Sequence, residues 1–190
     1  AGTDYPLQDL PVGVPTPDQA ITITNADTEG DARFYTYTWS NGYPDSEGNP
    51  QIYIGEEGQP APASLKVYVD TATPTLTLPA APSGSTVSHR NIYRTINGNY
   101  HYVMTVAAAQ ASVVDTVDDD VLGDPLLTFD YDAPPADIKG ILNMPNGIML
   151  GWTKNEILFC EPYKPHAWPK KYRLKTDAEI VACAAVGAGA

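Results

Sequence analysis

The side chains able to do chemistry are few and scattered. Three histidines, His89, His101 and His166, occur in 190 residues. A serine hydrolase would need one of them beside a positioned nucleophile, and no Gly-x-Ser-x-Gly elbow is present. Asp115, Asp118, Asp119, Asp120 and Asp124 form the densest acidic cluster. Calcium wants six to eight oxygens around a bent loop, but here Gly123 comes late for an EF-hand and no glutamate closes the stretch. The spacing favours a solvated turn whose Asp side chains accept backbone N–H groups. No paired carboxylates stand on a recognisable strand or loop, as a glycosidase acting on an envelope would require. The expectation is therefore no catalytic residue, no metal and no cofactor.

The most distinctive loop is Glu161-Pro-Tyr-Lys-Pro-His-Ala-Trp-Pro169. Three prolines stiffen it, and its aromatics admit two roles. Trp168 and Tyr163 can plug a gap between adjacent strands, or Tyr163, His166 and Trp168 can meet a partner protein or a sugar ring. Cys160 and Cys183 lie in the apolar runs Ile157-Leu-Phe-Cys160 and Ile180-Val-Ala-Cys183. Neither has a second cysteine or a histidine at metal-ligand spacing, so both are expected as reduced, buried thiols.

The elements that must carry these residues are strands. Eighteen prolines, fifteen glycines and many Thr, Val and Tyr suit short strands and turns rather than helices. The formal charge of -12 is unevenly spread. Residues 136–190 hold seven Lys and Arg against five acids, net +2, leaving four against eighteen, net -14, for residues 1–135. An acidic surface of that size argues against general nucleic-acid binding, which needs a basic face. The chain opens without a basic region followed by an apolar one, so no secretory signal is read there. Its longest apolar run, residues 180–190, falls short of the roughly twenty residues a membrane-spanning helix takes.

The strongest local signal is a hairpin. Asn91-Ile-Tyr-Arg-Thr-Ile96 and Asn99-Tyr-His-Tyr-Val-Met104 flank Asn97-Gly98, which tolerates the positive φ angles of a type I′ turn. Counting outward pairs Tyr93 with Tyr102 and Thr95 with Tyr100 on one face, and Ile92 with Val103 and Arg94 with His101 on the other. That second face reads as aliphatic at the base and charged and solvent-exposed at the tip. The Tyr93, Tyr100, Tyr102 face is too apolar to leave to water, and cover by the Trp39 strand or by a neighbouring subunit is expected.

Further strands are expected at residues 21–23, 33–40, 65–69, 74–78 and 112–117, with the aromatic side of residues 33–40 buried. Between Asn41 and Ser64 turn formers dominate, and only Gln51-Ile-Tyr-Ile54 reads as a strand. Residues 1–18, with four prolines, read as an extended lead-in outside the core. Residues 19–127 read as a β-sandwich, and residues 128–190 as antiparallel strands at 140–144, 147–152 and 156–160 joined by tight turns. Tyr172-Arg-Leu174 and Glu179-Ile-Val-Ala-Cys183 would add short strands.

Three stretches resemble fibronectin type III and related immunoglobulin-like modules. They are Tyr35-Thr-Tyr-Thr-Trp39 followed by Glu56-Glu-Gly-Gln-Pro-Ala-Pro-Ala-Ser64, Asn91-Ile-Tyr-Arg-Thr95, and Val114-Asp-Thr-Val117. They depart from the family in order, because the module-ending pattern precedes the central strand.

A longer stretch runs from Pro134-Pro-Ala-Asp-Ile-Lys-Gly-Ile-Leu-Asn-Met-Pro-Asn-Gly-Ile-Met-Leu-Gly-Trp152 through Asn155-Glu-Ile-Leu-Phe-Cys-Glu-Pro-Tyr-Lys-Pro-His-Ala-Trp-Pro169 to Tyr172-Arg-Leu174. It resembles virion proteins of tailed bacteriophages, such as tail nozzle or tail-hub components, with Cys160 where that family usually has serine. The resemblance implies an all-β chain, an immunoglobulin/fibronectin-III-like sandwich followed by an antiparallel meander like the first blade of a β-propeller. It also implies a non-enzymatic structural role in the virion tail, in a ring of copies of itself and against other tail proteins. A single blade exposes apolar faces that further blades or another subunit must cover. Candidate contacts are Tyr93, Tyr102, Tyr163, His166 and Trp168. The alternative is a carbohydrate-binding or spacer module of a secreted or surface enzyme.

Overall fold

A computed structural model describes residues 13–41, 56–85 and 87–185 of the chain. It is all-β with antiparallel pairing throughout. The first part holds β1 (Thr22–Thr24), β2 (Asp31–Arg33), β3 (Tyr35–Ser40), β4 (Glu57–Pro60), β5 (Val67–Val69), β6 (Thr75–Thr77), β7 (His89–Ile96), β8 (Asn99–Ala107) and β9 (Ser112–Val114). The second holds β10 (Gly140–Asn143), β11 (Met149–Trp152), β12 (Glu156–Phe159) and β13 (Arg173–Lys175). A sheet β1-β6-β9 and a sheet β4-β3-β7-β8 contribute to one core, β2 and β5 pair as a small ribbon, and β10-β11-β12-β13 form a meander in chain order.

Alternation along β3 explains the core. Tyr35, Tyr37 and Trp39 pair with Arg94, Ile92 and Arg90 of β7 on one face, and all six side chains are fully buried. They meet Ile21, Leu76 and Leu78 from the opposite layer. Residues 33–40 do not make one strand: the chain breaks at Phe34, so that β2 joins β5 while β3 joins β4 and β7.

Two arginines lie inside this apolar layer. The Arg90 guanidinium stacks over Trp39 and Tyr37, 4.5 and 5.4 Å from the ring centroids, and donates to the carbonyls of Pro79 and Ala108. Arg94 donates to Asp115 Oδ2 at 2.5 Å and to Asp119 Oδ1 and the Val117 carbonyl at 2.6 Å. The Tyr35 hydroxyl also donates to Asp115 Oδ2, at 2.8 Å, and the Val117 N–H donates to Oδ1. Asp115 follows β9 and Arg94 sits on β7, so this ion pair bolts one sheet to the other. The expected charged, exposed hairpin tip is thus corrected at Arg94, where the carboxylate supplies an internal partner.

The hairpin turn forms as expected, with Asn97 and Gly98 at φ 50° and 83°. Tyr93–Tyr102, Arg94–His101 and Thr95–Tyr100 pair in register, but Ile92 pairs with Met104 and not Val103. A bulge beside Ile92 and Tyr93 adds one residue to β8. Val103 and Met104 can then both lean on the core.

The tyrosine face is covered in large part from within the chain. Trp39 points to the opposite side of the sheet. Residues 123–126 instead run along β8, exchanging backbone hydrogen bonds with Tyr102 and Tyr100, and Gly123 lies so close to the Tyr102 ring that an added Cβ would stand 2.9 Å from it. Tyr93 is left 6% exposed.

Several other expectations change. Glu57–Pro60 is a strand inside the stretch read as turns, because it lies at the sheet edge, where proline is tolerated; Gln51–Ile54 lies outside the described residues. Val14, in the expected lead-in, is buried in the core and packs on Gly58. Residues 179–183 form no strand; the Ile180 N–H is held by the Lys154 carbonyl, and Val181 is 91% exposed. Cys160 is buried, but Cys183 is only partly so, because its segment runs past the sheet. Both are free thiols.

Asp115→Ala leaves the Arg94 guanidinium buried with its main partner gone, at an expected cost of about 3–5 kcal/mol. A urea denaturation midpoint unchanged by the substitution would contradict this role for the pair.

Candidate functional site

The site residues expected from the sequence divide into a junction and a surface. At the junction, Glu57 of β4 reaches across the outer face of β3 and β7. Its Oε1 accepts from the Thr38 hydroxyl at 2.5 Å, the Tyr93 hydroxyl at 2.6 Å and the Asn91 amide at 3.0 Å. Thr105 donates to Asn91 Oδ1 at 2.6 Å, and the hydroxyls of Tyr102 and Thr105 lie 2.9 Å apart. The rings of Tyr93 and Tyr102 meet edge to face at 5.9 Å. Burial, reinforced by the Glu57 carboxylate, pushes the Tyr93 hydroxyl well above its ordinary pKa. These groups floor a cleft of about 460 Å³ whose other walls include Gly123, Asp124, Thr128, Tyr131 and Lys164.

Residues 126–136, read from the sequence as the boundary between the two parts, form a packed strap. Leu126 and Thr128 are buried, the Gln59 amide donates to the Phe129 carbonyl, and the Trp168 N–H donates to the Asp132 carbonyl. The strap joins the first layers to the meander and brings Tyr131 under the loop of residues 161–169. His166 stacks edge-on to Tyr131 at 6.1 Å, and Lys164 lies over the same ring at 5.2 Å. His166 is 7% exposed, and neither ring nitrogen meets a partner in good hydrogen-bond geometry, although Glu56 and the Glu57 backbone lie close. Burial holds its pKa below the ordinary 6.5, against the pull of Glu56 and Glu57 and with the push of Lys164.

Trp168 belongs to the interior. It is fully buried, its indole N–H donates to the Pro165 carbonyl at 2.8 Å, and it packs on Leu158, Cys160 and the bare backbone of Gly151. Of the loop's candidates, Tyr163 alone is on the surface, 78% exposed and in a left-handed conformation at φ 60°. Tyr93, Tyr102 and His166 are thus gathered at one junction, whereas Tyr163 and Trp168 lie apart from it.

The remaining chemistry is dispersed. His89 contacts the Ser88 hydroxyl, and His101 the Gly123 carbonyl. Asp115 and Asp119 are committed to arginines. Among the described residues no group of three or more His, Cys, Asp or Glu is placed to hold a metal ion, and no helix is long and apolar enough to cross a membrane.

The surface site is the outer face of the meander. Register and alternation place Leu142, Leu150, Trp152, Ile157, Phe159 and Leu174 on it, all with solvent exposure. At its margin a groove of about 450 Å³ is lined by Ile148, Phe159, Cys160, Pro162, Lys171, Tyr172 and Leu174. The signal for this face is the unbroken apolar run Ile157-Leu-Phe159, which lacks the alternation of a strand with one wet side. Glu57 carried no comparable signal, lying among turn formers. Searches with known family models and among curated proteins find no match to this chain.

Glu57→Ala strands three donors at buried positions and should cost about 2–4 kcal/mol in urea denaturation, with Glu57→Gln milder. A second expectation concerns pH. The unfolded His166 takes up a proton below about pH 6.5, whereas the folded one resists it, so the unfolded chain binds more protons and stability falls as pH drops below that value. Below about pH 6.5, His166→Gln should flatten that slope; an unchanged slope would remove His166 as its source.

Proposed function

We propose that this chain is a non-enzymatic structural component of a tailed-bacteriophage virion, in the tail as a nozzle, hub or adaptor part. It acts by assembly, in a ring of copies of itself and against other tail proteins. The observation that carries this reading is a sheet whose inner face is packed by Trp168 on Leu158 and Gly151, while its outer face presents Leu142, Leu150, Trp152, Ile157, Phe159 and Leu174 together, each with part of its side chain open to solvent. Such a face serves burial against a macromolecule better than it serves a dissolved small substrate.

Two features of the fold support the finer reading. Three strands over four around one core is the layering expected of an immunoglobulin- or fibronectin-type module. Four antiparallel strands in chain order are the unit from which a propeller blade is made. The reading also fits the chemistry of the polar side chains: Arg94, Asp115 and Glu57 are spent on internal pairs. The carbohydrate-binding alternative is weakened because Trp168, which would stack on a sugar, is sealed inside.

The test is composition of purified particles. Quantitative mass spectrometry should find the chain in virions at several copies each, arranged with ring symmetry in particle images. Recovery only as free protein from lysate or medium would overturn the proposal.

A further inference from the structure

The exposed meander face raises the question of what covers it. Four strands about 4.8 Å apart and four residues of about 3.3 Å each make a face of about 250 Å². Stable protein contacts take about 800 Å² per partner. Two such faces stacked on one another would therefore supply under a third of what is needed, and the occupant must reach beyond the rim. That rim carries Lys154 in the β11–β12 turn, Lys171 beside the groove and Lys175 at the end of β13, all exposed, with Lys171 2.8 Å from Asp130 and Lys175 4.0 Å from Glu156.

The opposite character belongs to the first part of the same chain. Residues 1–135 sum to -14, and two of their four cations, Arg90 and Arg94, are buried. Arg33 is half-buried and paired with Asp119, which leaves Lys66 as the exposed one. Two such modules repel each other at neutral pH, so contact between them is disfavoured. The same module also exposes Leu65, Val121 and Leu127, at 88, 66 and 75%.

We propose that the outer face of the meander docks a second copy of this chain, engaged through its acidic β-module in a head-to-tail contact. The inference rests on the assembly reading above and names the surface that reading uses. Because the two surfaces differ, each copy keeps one of each free, and the contact propagates until a ring closes or a filament grows.

The test uses the purified chain. Light scattering after size separation should show self-association that rises with concentration and weakens with salt. Leu174→Glu, at a position 58% exposed and so tolerant for folding, should weaken association by more than about thirty-fold with an unchanged circular dichroism spectrum. Mixed with wild type, the labelled variant should still enter complexes, offering its acidic module to the intact wild-type face and capping growth. Exclusion of the variant from wild-type complexes would indicate face-to-face pairing and overturn the proposal, as would a wild-type chain that stays monomeric at millimolar concentration. The result is separable from the virion assay: a chain absent from particles that still associates head to tail fails only the functional reading, and a particle component that stays monomeric fails only this one.

Discussion

A single buried ion pair sets the terms for the first half of this molecule. Taking a guanidinium and a carboxylate out of water costs several kcal/mol per ion, and only good geometry with full hydrogen bonding recovers it. Arg94 and Asp115 come close to that condition through Asp119, the Val117 carbonyl and N–H, and the Tyr35 hydroxyl, although the buried Arg94 Nε has no hydrogen-bond partner. Since the partners come from different sheets, the pair holds only in one mutual arrangement of the layers. Arg90 solves the same problem differently. No carboxylate among the described residues pairs with it; two aromatic faces and two carbonyls take its charge.

The second constraint is that the β4-β3-β7-β8 sheet has no wet face over its centre. Thr36 and Thr38 are as buried as Tyr35 and Tyr37. Polar side chains on that outer face need acceptors, and Glu57 and the Ala61 carbonyl supply them. The strap also carries the meander. It buries Leu126 against the first part and gives the Asp132 carbonyl to Trp168 of the second. A histidine without good hydrogen-bond partners lies at this seam, where burial opposes its protonation.

The meander inverts the logic of the first part. One face is filled from its own loop by Trp168, which needs the bare backbone of Gly151 to approach. The other face has Leu, Ile, Phe and Trp with nothing among the described residues laid over it as a layer. A protein that keeps such a surface pays in solubility unless the surface is used, and the strong negative charge of the first part opposes indiscriminate association. The proposed assembly through one directed contact would reconcile the two.

How much was legible in the sequence follows from the range of the interactions. Strand positions, the Asn97-Gly98 turn, the inward side of residues 35–39 and the turns of the meander depend on neighbours in the chain, through alternation and the φ preferences of Asn and Gly, and these could be read directly. The bulge that gives Ile92 to Met104, the strand at Glu57–Pro60 and the burial of Val14 depend on what distant segments place beside them. The same holds for the charges. An Arg in a β-rich run reads as an exposed strand end until an Asp twenty-one positions later is folded against it. Local periodicity determined which residues face together; only tertiary structure decided which of those faces water, because burial of a charge or a tyrosine is a property of its partner.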